Sequence, residues 1–432
     1  MKKTLCLTLL STACLSAPSF AATLSTHQLN TTLKRLETVS CDKTGIQCIA
    51  IGFGAEFHLQ DRLVATSQDG GLTWSEPTLL ASPKEEVTPL LNDTPNSASI
   101  SCDEFGQQCI VASSAVIEGV PTPLVYTTHD GGLSWSAPKL LPLPKDVNKT
   151  QIYANNSLVT SISCDQTGTV CTIAGGLAGD NEAIPLIYST TNAGDSWKFS
   201  SLKQPSYQAP SSGYHGTVLL GVSCNFSGLN CVAVGHSVVS TSFFSDYYSS
   251  HPVSYSTQDG GAHWSNPYVL DTKETNNQVS TLVDIACDSS GIQCTAIGYF
   301  NYSSQSLPFS ITTRNNGASW TPMNYIIPKA GFYDISAMHC DSSGKYCVAV
   351  GGEFKYIDTV AVVKPLIYTT ENAGSVWEKS ADRPFPNSSV LNDVFCSNTG
   401  AQCVAVGAKA SSNALALRRF SFDKHHLFKS EH

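Results

Sequence analysis

The chain has 432 residues, too many for one small core and enough for a ring of repeated units or two ordinary domains. Charged residues make up only 14% of it, with 25 basic against 34 acidic side chains. An acidic chain with no block of Lys or Arg is a poor partner for nucleic acid or an anionic membrane surface.

In chain order, the first segment (residues 1–21) reads as an export signal. Lys2 and Lys3 make a basic start, Leu5 to Leu15 an apolar core, and Ser19-Phe20-Ala21 a small-x-small cleavage site. Cleavage after Ala21 removes Lys2 and Lys3 and leaves 23 basic against 34 acidic side chains, a net of −11. The apolar run is shorter than the roughly 18 residues a membrane span needs, and no later run reaches that length. Leu10-Ser11-Thr12-Ala13-Cys14 approaches a lipoprotein signal, but the leucine sits one position too far from the cysteine. The expected mature protein is exported, to a periplasm or beyond the cell.

Of 16 cysteines, Cys6 and Cys14 leave with the signal. The others form Cys-x6-Cys pairs: Cys41/Cys48, Cys102/Cys109, Cys164/Cys171, Cys224/Cys231, Cys287/Cys294, Cys340/Cys347 and Cys396/Cys403. An even count in an exported chain reads as disulfides. A zinc reading lacks the Cys-x2-Cys knuckle and the histidine partners. Each pair brackets a turn such as Asp42-Lys43-Thr44-Gly45, where Asp opens the turn and Gly supplies the positive φ. Strands on either side make a hairpin with its cysteines face to face. One such bond contributes about 2–3 kcal/mol in the chain-entropy model.

A second signal follows each of the first six hairpins. Its clearest copy is Ser67-Gln68-Asp69-Gly70-Gly71-Leu72-Thr73-Trp74. The others run Thr128 to Trp135, Thr190 to Trp197, Thr257 to Trp264, Thr313 to Trp320 and Thr370 to Trp377, so all 6 tryptophans share one position. The third position holds Asp69, Asp130, Asn192, Asp259, Asn315 and Asn372. Asp or Asn can accept from nearby backbone N–H groups in a tight turn, and Trp packs between neighbours. Asn in half the copies suits a turn acceptor and would not serve acid–base chemistry.

The pattern Ser/Thr-x-Asp/Asn-x-Gly-x-x-Trp resembles the Asp-box, or BNR repeat, of the sialidase-like β-propellers, over nearly all of the mature chain. Each unit is read as four antiparallel strands. In the second unit these are A near Ser97–Cys102, B near Cys109–Ala112, C near Leu124–Thr128 and D near Leu133–Pro138. The expected fold is an all-β, seven-bladed propeller over residues 22–424, with a tail at 425–432. The last unit lacks an Asp-box. The N-terminal stretch Thr23 to Leu33 is the expected donor of its outer strand, and His425 to Lys429 the alternative.

On strand A, the residue two before the cysteine is always apolar: Val39, Ile100, Ile162, Val222, Ile285, Met338 and Val394. The residue just before it is small in five units, while His339 and Phe395 are read as packing variants. The disulfide turns (A–B) and Asp-box turns (C–D) are expected on one face. The B–C and D–A connections are expected to be long loops on the other, where function usually sits. That face carries Tyr207, Tyr214, Phe243, Phe244, Tyr247, Tyr248, Tyr299, Tyr302, Tyr333, Asp334, Tyr356 and Asp358. Aromatic and acidic side chains of this kind suit sugar rings or a protein partner.

Asp284 and Asp393 occupy one register, three before the first cysteine. Two carboxylates near the axis could serve glycoside hydrolysis as an acid–base or nucleophile pair. The resemblance alone does not fix activity, since Asp-box propellers include sialidases, xyloglucan-cleaving hydrolases, sortilin-type receptor domains and a photosystem assembly factor. The sequence argues against a true sialidase. Its Phe/Tyr-Arg-Ile-Pro motif is missing, and Arg35, Arg62, Arg314, Arg383, Arg418 and Arg419 do not assemble its arginine triad. The leading expectation is a non-enzymatic, monomeric binding module for a glycan or protein, with no cofactor and no metal. A glycoside hydrolase or lyase is the first alternative, and an assembly-factor or structural role the second.

Overall fold

The computed structural model describes residues 25–28, 33–54, 62–83, 98–117, 120–144, 159–178, 182–206, 215–240, 248–270, 279–302, 305–329, 331–357, 360–380, 389–409 and 416–420. Residues 1–21, read from the sequence as an export signal, the stretch 425–432 and the alternative donor His425 to Lys429 lie outside them. The described residues form an all-β propeller. Each Cys-x6-Cys hairpin is the inner pair of a four-stranded antiparallel sheet. The first sheet is β2 (Leu33–Cys41), β3 (Cys48–Gly54), β4 (Arg62–Ser67) and β5 (Thr78–Leu79). The second is β6 (Ser99–Cys102), β7 (Cys109–Ile117), β8 (Val120–Thr128) and β9 (Lys139–Leu140). Three later sheets join edge to edge through short parallel pairings, Glu182 with His215 and Ser250 with Val279 among them. In the last sheet, β26 (Ser389–Cys396), β27 (Cys403–Lys409) and β28 (Ala416–Phe420) are completed by β1 (Ser25–Gln28), antiparallel to β28. No helix among the described residues is long and apolar enough to cross a membrane.

The sheets pack face to face, so inner strands are buried on both sides. Every residue of β7 is buried. Its apolar run Cys109-Ile110-Val111-Ala112 contributes to two cores, one with the sheet before it and one with the sheet after. Full burial of one such aliphatic side chain stabilises by about 1.5–3 kcal/mol.

All seven disulfides are formed, Cys41–Cys48, Cys102–Cys109, Cys164–Cys171, Cys224–Cys231, Cys287–Cys294, Cys340–Cys347 and Cys396–Cys403. Each joins directly opposed residues, with Cα atoms 3.9–4.0 Å apart. The second cysteine of each pair begins strand B and belongs to the core. Cys171 and Cys231 are 0% exposed and Cys294 is 1% exposed, each inside an apolar cluster between two sheets. The reason is that strand B has a sheet against both of its faces, so a side chain there has no route to solvent. Cys171, Cys231 and Cys294 are therefore packing residues as well as staples, and no ligand reaches them.

Both kinds of turn recur along the chain, with Asn225 and Ser397 at the Asp42 position in two of the A–B turns. Asp42 Oδ1 accepts from the N–H groups of Ile46 and Gln47 at 2.7 and 3.1 Å, and Gly45 closes the turn at φ 74°. In the C–D turn, Asp69 Oδ1 accepts from Leu72 and Thr73 at 3.0 and 2.8 Å, while Trp74 donates to Gly71 O at 3.1 Å. Asn192 does the same for Ser196 at 2.9 Å. Hydrogen bonds from the Ser134 side chain and backbone pull Asp130 down to about 2, fixing it as an ionised turn acceptor. Both turns lie on one face and touch: Gly70 N–H donates to Ile46 O, and Gly131 N–H to Gln107 O.

Adjacent A–B turns are joined by backbone bonds that run round in a closed circuit. Lys43 N–H donates to Glu104 O, Glu104 to Gln166, Gln166 to Phe226, Phe226 to Ser289, Ser289 to Ser342, Ser342 to Asn398, and Asn398 back to Lys43, all within 2.8–3.2 Å. A second set of clasps lies one layer deeper. The hydroxyls of Ser40, Ser101, Ser163 and Ser223 accept from the N–H of the next sheet's first cysteine at 3.0–3.1 Å. His339 is therefore more than a packing variant. Its Nδ1 accepts from Cys396 N at 3.2 Å, and its ring lies 4.6 Å from that of Phe395.

Several strands differ from the sequence reading. Strand D of the second sheet is Lys139–Leu140 rather than Leu133–Pro138, because the C–D turn and an irregular link consume those residues before Lys139 can pair with Val125. The B–C connections are not uniformly long. Strands B and C run on as a two-stranded ladder, well beyond strand A in three sheets, leaving two or three residues at 118–119, 179–181, 303–304 and 358–359. The long connections are chiefly D–A.

A bulge recurs on strand A, four residues before the cysteine, for example at Glu37, Val283 and Asn392. It pushes a carbonyl against strand B, where only glycine fits. A Cβ on Gly298 would lie 2.0 Å from Thr281 O. Gly298→Ala is expected to cost about 1–3 kcal/mol or more by forcing the strands apart. An unchanged denaturant midpoint would refute this. A second expectation concerns pH. Burial lowers His339 to about 4, so its neutral form holds the clasp. A histidine depressed below its ordinary 6.5 gives stability that is full above pH 6.5 and lost as pH falls toward 4. His339→Ser keeps an acceptor but removes the titration. Its melting temperature should fall less between pH 7 and pH 5 than that of the parent protein.

Candidate functional site

The inner strands enclose an axial cavity of about 330 Å³. Its wall at one end is the ring of A–B turns, among them Lys43, Glu104 and Phe226. Toward the other end it is lined by the residues three and four positions before each first cysteine, including Glu37, Thr38, Ser99, Ser161, Asp284 and Asp393. Strand alternation directs the −3 side chain at the neighbouring sheet's backbone. Thr38, Ser99 and Ser161 each accept from the N–H of the next sheet's −2 residue, at 3.2–3.4 Å.

Asp284 and Asp393 occupy that same position in two sheets. Asp284 Oδ2 accepts from Met338 N at 2.7 Å, and Oδ1 from Ile285 N at 2.8 Å. Asp393 Oδ2 accepts from Val39 N, and Oδ1 from Val394 N, both at 2.8 Å. Each carboxylate thus clasps the following sheet, with shorter bonds than the hydroxyls make. Burial raises Asp284 to about 7, against the pull of the Met338 N–H and with a push from the Asp393 charge. Burial likewise raises Asp393 to about 6, opposed by the Val39 N–H and the Thr38 hydroxyl. Both therefore exchange protons close to neutrality.

Sequence reasoning missed a third acid in the cavity wall. Glu37 is the bulge residue of β2. Its Oε2 accepts from Ala98 N at 3.3 Å, and Oε1 lies 3.4 Å from Arg35 Nε. Burial raises it to about 7, opposed chiefly by Arg35. Arg62 was also missed. It is 2% exposed and hydrogen-bonded to Ser113 Oγ and Ser114 O. A signal existed: Ser113 breaks a Cys-x3-Gly pattern kept by Gly52, Gly175, Gly235, Gly298, Gly351 and Gly407.

The aromatic candidates are partly accounted for. Tyr207, Tyr214, Phe243, Phe244, Tyr247 and Asp358 lie outside the described residues. Tyr248, Tyr302 and Tyr356 fall on the extended B–C ladders rather than in loops. Tyr299 is half-buried on strand B of its sheet. Tyr333 and Asp334 open β22 (Tyr333–Cys340), where Tyr333 N–H donates to Ser306 Oγ at 3.1 Å and Asp334 is exposed. Phe332 beside them is 42% exposed. Among the described residues, no group of three or more His, Cys, Asp or Glu side chains is arranged to hold a metal ion.

No family model matches the sequence, and no curated protein matches it. Solved structures do. A polysaccharide lyase of family PL25, an ulvan lyase bound to -[GlcA(1-4)Rha3S]-, superposes with TM-score 0.55 at 10% identity, covering 91% of this chain and 96% of that one. YCF48 bound to D1 peptide gives TM-score 0.45 at 14% identity, with 93% and 97% covered. The GH93 α-L-arabinofuranosidase of Fusarium graminearum with arabinobiose gives 0.47 at 11%, with 90% and 93% covered. At these identities the likeness to the lyase speaks for the propeller fold alone.

Proposed function

We propose that this chain is an exported, seven-bladed propeller of the Asp-box type that acts on a glycan at the open end of its axial cavity, as a hydrolase or lyase. The closed circuit of A–B turns supports the blade number. The turn bonds of Asp69, Asn192 and their counterparts support the Asp-box assignment. Seven disulfides suit an oxidising compartment outside the cytosol.

The observation that carries the catalytic reading is the pair Asp284 and Asp393, raised to about 7 and about 6 in one cavity wall. Between those values one carboxyl holds a proton while the other is ionised, which is the state an acid–base pair needs. The ulvan lyase is a polysaccharide lyase that shares the fold, in keeping with this reading. A second reading, a non-catalytic module for a glycan or protein, is favoured by one observation: both oxygens of each carboxylate already accept backbone N–H groups.

The test is a panel of neutral and acidic polysaccharides, scored for binding and for released ends, with Asp284→Asn and Asp393→Asn beside the parent protein. The catalytic reading expects product release with a rate maximum between about pH 6 and 7. Each variant should retain binding and lose about 100-fold or more in rate. Binding without product would establish the second reading. Full activity in both variants would confine the two acids to their role as clasps.

A further inference from the structure

Strand A departs from the repeat on one side of the axial cavity, at two depths. Three residues before the first cysteine, the first three hairpins carry Thr38, Ser99 and Ser161, while Asp284 and Asp393 stand in the fifth and the last. One residue before that cysteine, the first four hairpins carry serine and the last three carry Ala286, His339 and Phe395. Positions two apart on a strand share a face and lie about 6.6 Å apart, so the second layer sits below the acids, toward the A–B turns. Serine is sufficient for the clasp this layer makes, as Ser163 shows with Cys224 N at 3.0 Å. Ring closure therefore does not call for an imidazole and a phenyl ring side by side beneath two carboxylates.

The two rings make one wall of the cavity. Their centroids are 4.6 Å apart, and both side chains line the axial space. On their side that space is filled: Cys340 and Cys396 are 5% and 1% exposed, whereas Cys102, Cys164, Cys224 and Cys287 line the same cavity and are partly exposed. The facing wall is polar. The oxygens of Ser101, Ser163 and Ser223 each accept a backbone N–H, and among the described residues none of these hydroxyls has an acceptor for its own hydrogen. The cavity thus has an aromatic side and a hydroxyl side. Its volume of about 330 Å³ lies near the lower end of the roughly 300–1,000 Å³ of ligand pockets, which is room for one small ring and not for a stretch of polymer.

We infer that the cavity between the two acids and the ring of turns seats one sugar residue, the end of a glycan chain, with its C–H face on Phe395 and its hydroxyls among Ser101, Ser163 and Ser223. The inference rests on the reading of this cavity as the glycan site and adds which part of the glycan enters. A sugar ring matches both walls. One face presents C–H groups that pack on an aromatic ring, and its edge presents hydroxyls that accept from serine and donate in return. The walls offer no side exit, because the serine clasps join each inner strand to the next and the backbone circuit joins the turns below. A chain therefore enters end-on, which sets Asp284 and Asp393 beside its first link.

The test titrates the full chain calorimetrically with galactose, rhamnose, arabinose, N-acetylglucosamine and glucuronate, and with glycerol and sulfate as probes of size and charge. Phe395→Ser and Ser163→Ala are measured beside it. At least one sugar should bind with a Kd of about 1 mM or tighter. Each substitution should weaken that binding about 3-fold or more. Phe395→Ser supplies the residue that the first four hairpins carry, and where either variant fails to fold the other decides. Binding of none of the sugars, or binding unchanged by the substitutions, overturns the inference. So does binding of glycerol or sulfate alone. Sugar binding that the substitutions weaken, with no polysaccharide cleaved, upholds the inference and removes the catalytic reading. Cleavage within chains, with no single sugar bound, keeps the catalytic reading and overturns the inference.

Discussion

Everything in this fold depends on ring closure. Each sheet is apolar on both faces, as the complete burial of β7 makes plain, so each must have a neighbour on both sides. An open stack would leave two such faces in water. A closed ring leaves none, but only if every unit turns through the same angle. The disulfide, the side-chain cap (Asp, or Asn225 and Ser397 in two turns) and the positive-φ glycine at Gly45 and its six counterparts give every A–B turn one shape. That uniformity lets the backbone circuit from Lys43 through Glu104 and onward meet itself again at Asn398. The staples thus act locally on hairpins and globally on curvature.

Around the axis, polar residues do the joining that apolar ones cannot. Ser40, Ser101, Ser163 and Ser223 are small enough to fit a converging layer and still satisfy a neighbour's N–H. The layer tolerates exceptions where another acceptor or a stacking pair takes over, as His339 and Phe395 show. One consequence is that polarity near the axis is not in itself a sign of catalysis. An acid there has first to be weighed as a clasp.

Much of this was legible in the sequence because the repeat is local. Cysteine spacing, the Asp-to-Gly turn and the Ser/Thr-to-Trp box all act within eight residues or so, and they fix hairpins and faces. What escaped depends on partners about sixty residues away. The pairing of Cys171, Cys231 and Cys294 could be read from spacing, but their burial comes from the sheets on either side. The serine before each first cysteine reads simply as small. That its hydroxyl accepts from the next sheet, as Ser101 does from Cys164, is a fact about neighbours. The Cys-x3-Gly pattern was present but needs the bulge to explain it: Gly407 lets Val390 O approach to 2.0 Å of where a Cβ would stand. Glu37 lacked any spacing signal, since it serves one sheet junction and no other unit repeats it, and Arg62 was marked only indirectly, by Ser113 at a glycine position. The sequence also overstated the loops, because nothing in Tyr299-Phe300-Asn301-Tyr302 marks a continuing strand paired on both sides.

The −3 layer shows how two acids come to be held so near the axis. In ring order it reads Thr38, Ser99, Ser161, Gly221, Asp284, Ala337, Asp393. Each aspartate follows a residue with little or no side chain. A Cβ on Gly221 would lie 2.9 Å from Asp284 Cα, so a larger residue in that sheet would collide with the acid's own backbone. Ala337 likewise separates Asp284 from Asp393, and the two charges still push against each other. Space, charge and hydrogen bonding are therefore arranged around these two acids in a way the hydroxyl positions do not require. A clasp alone needs only an acceptor, and serine supplies one repeatedly in the deeper layer of the same turns. The additional accommodation sets Asp284 and Asp393 apart from the hydroxyl positions of the same layer.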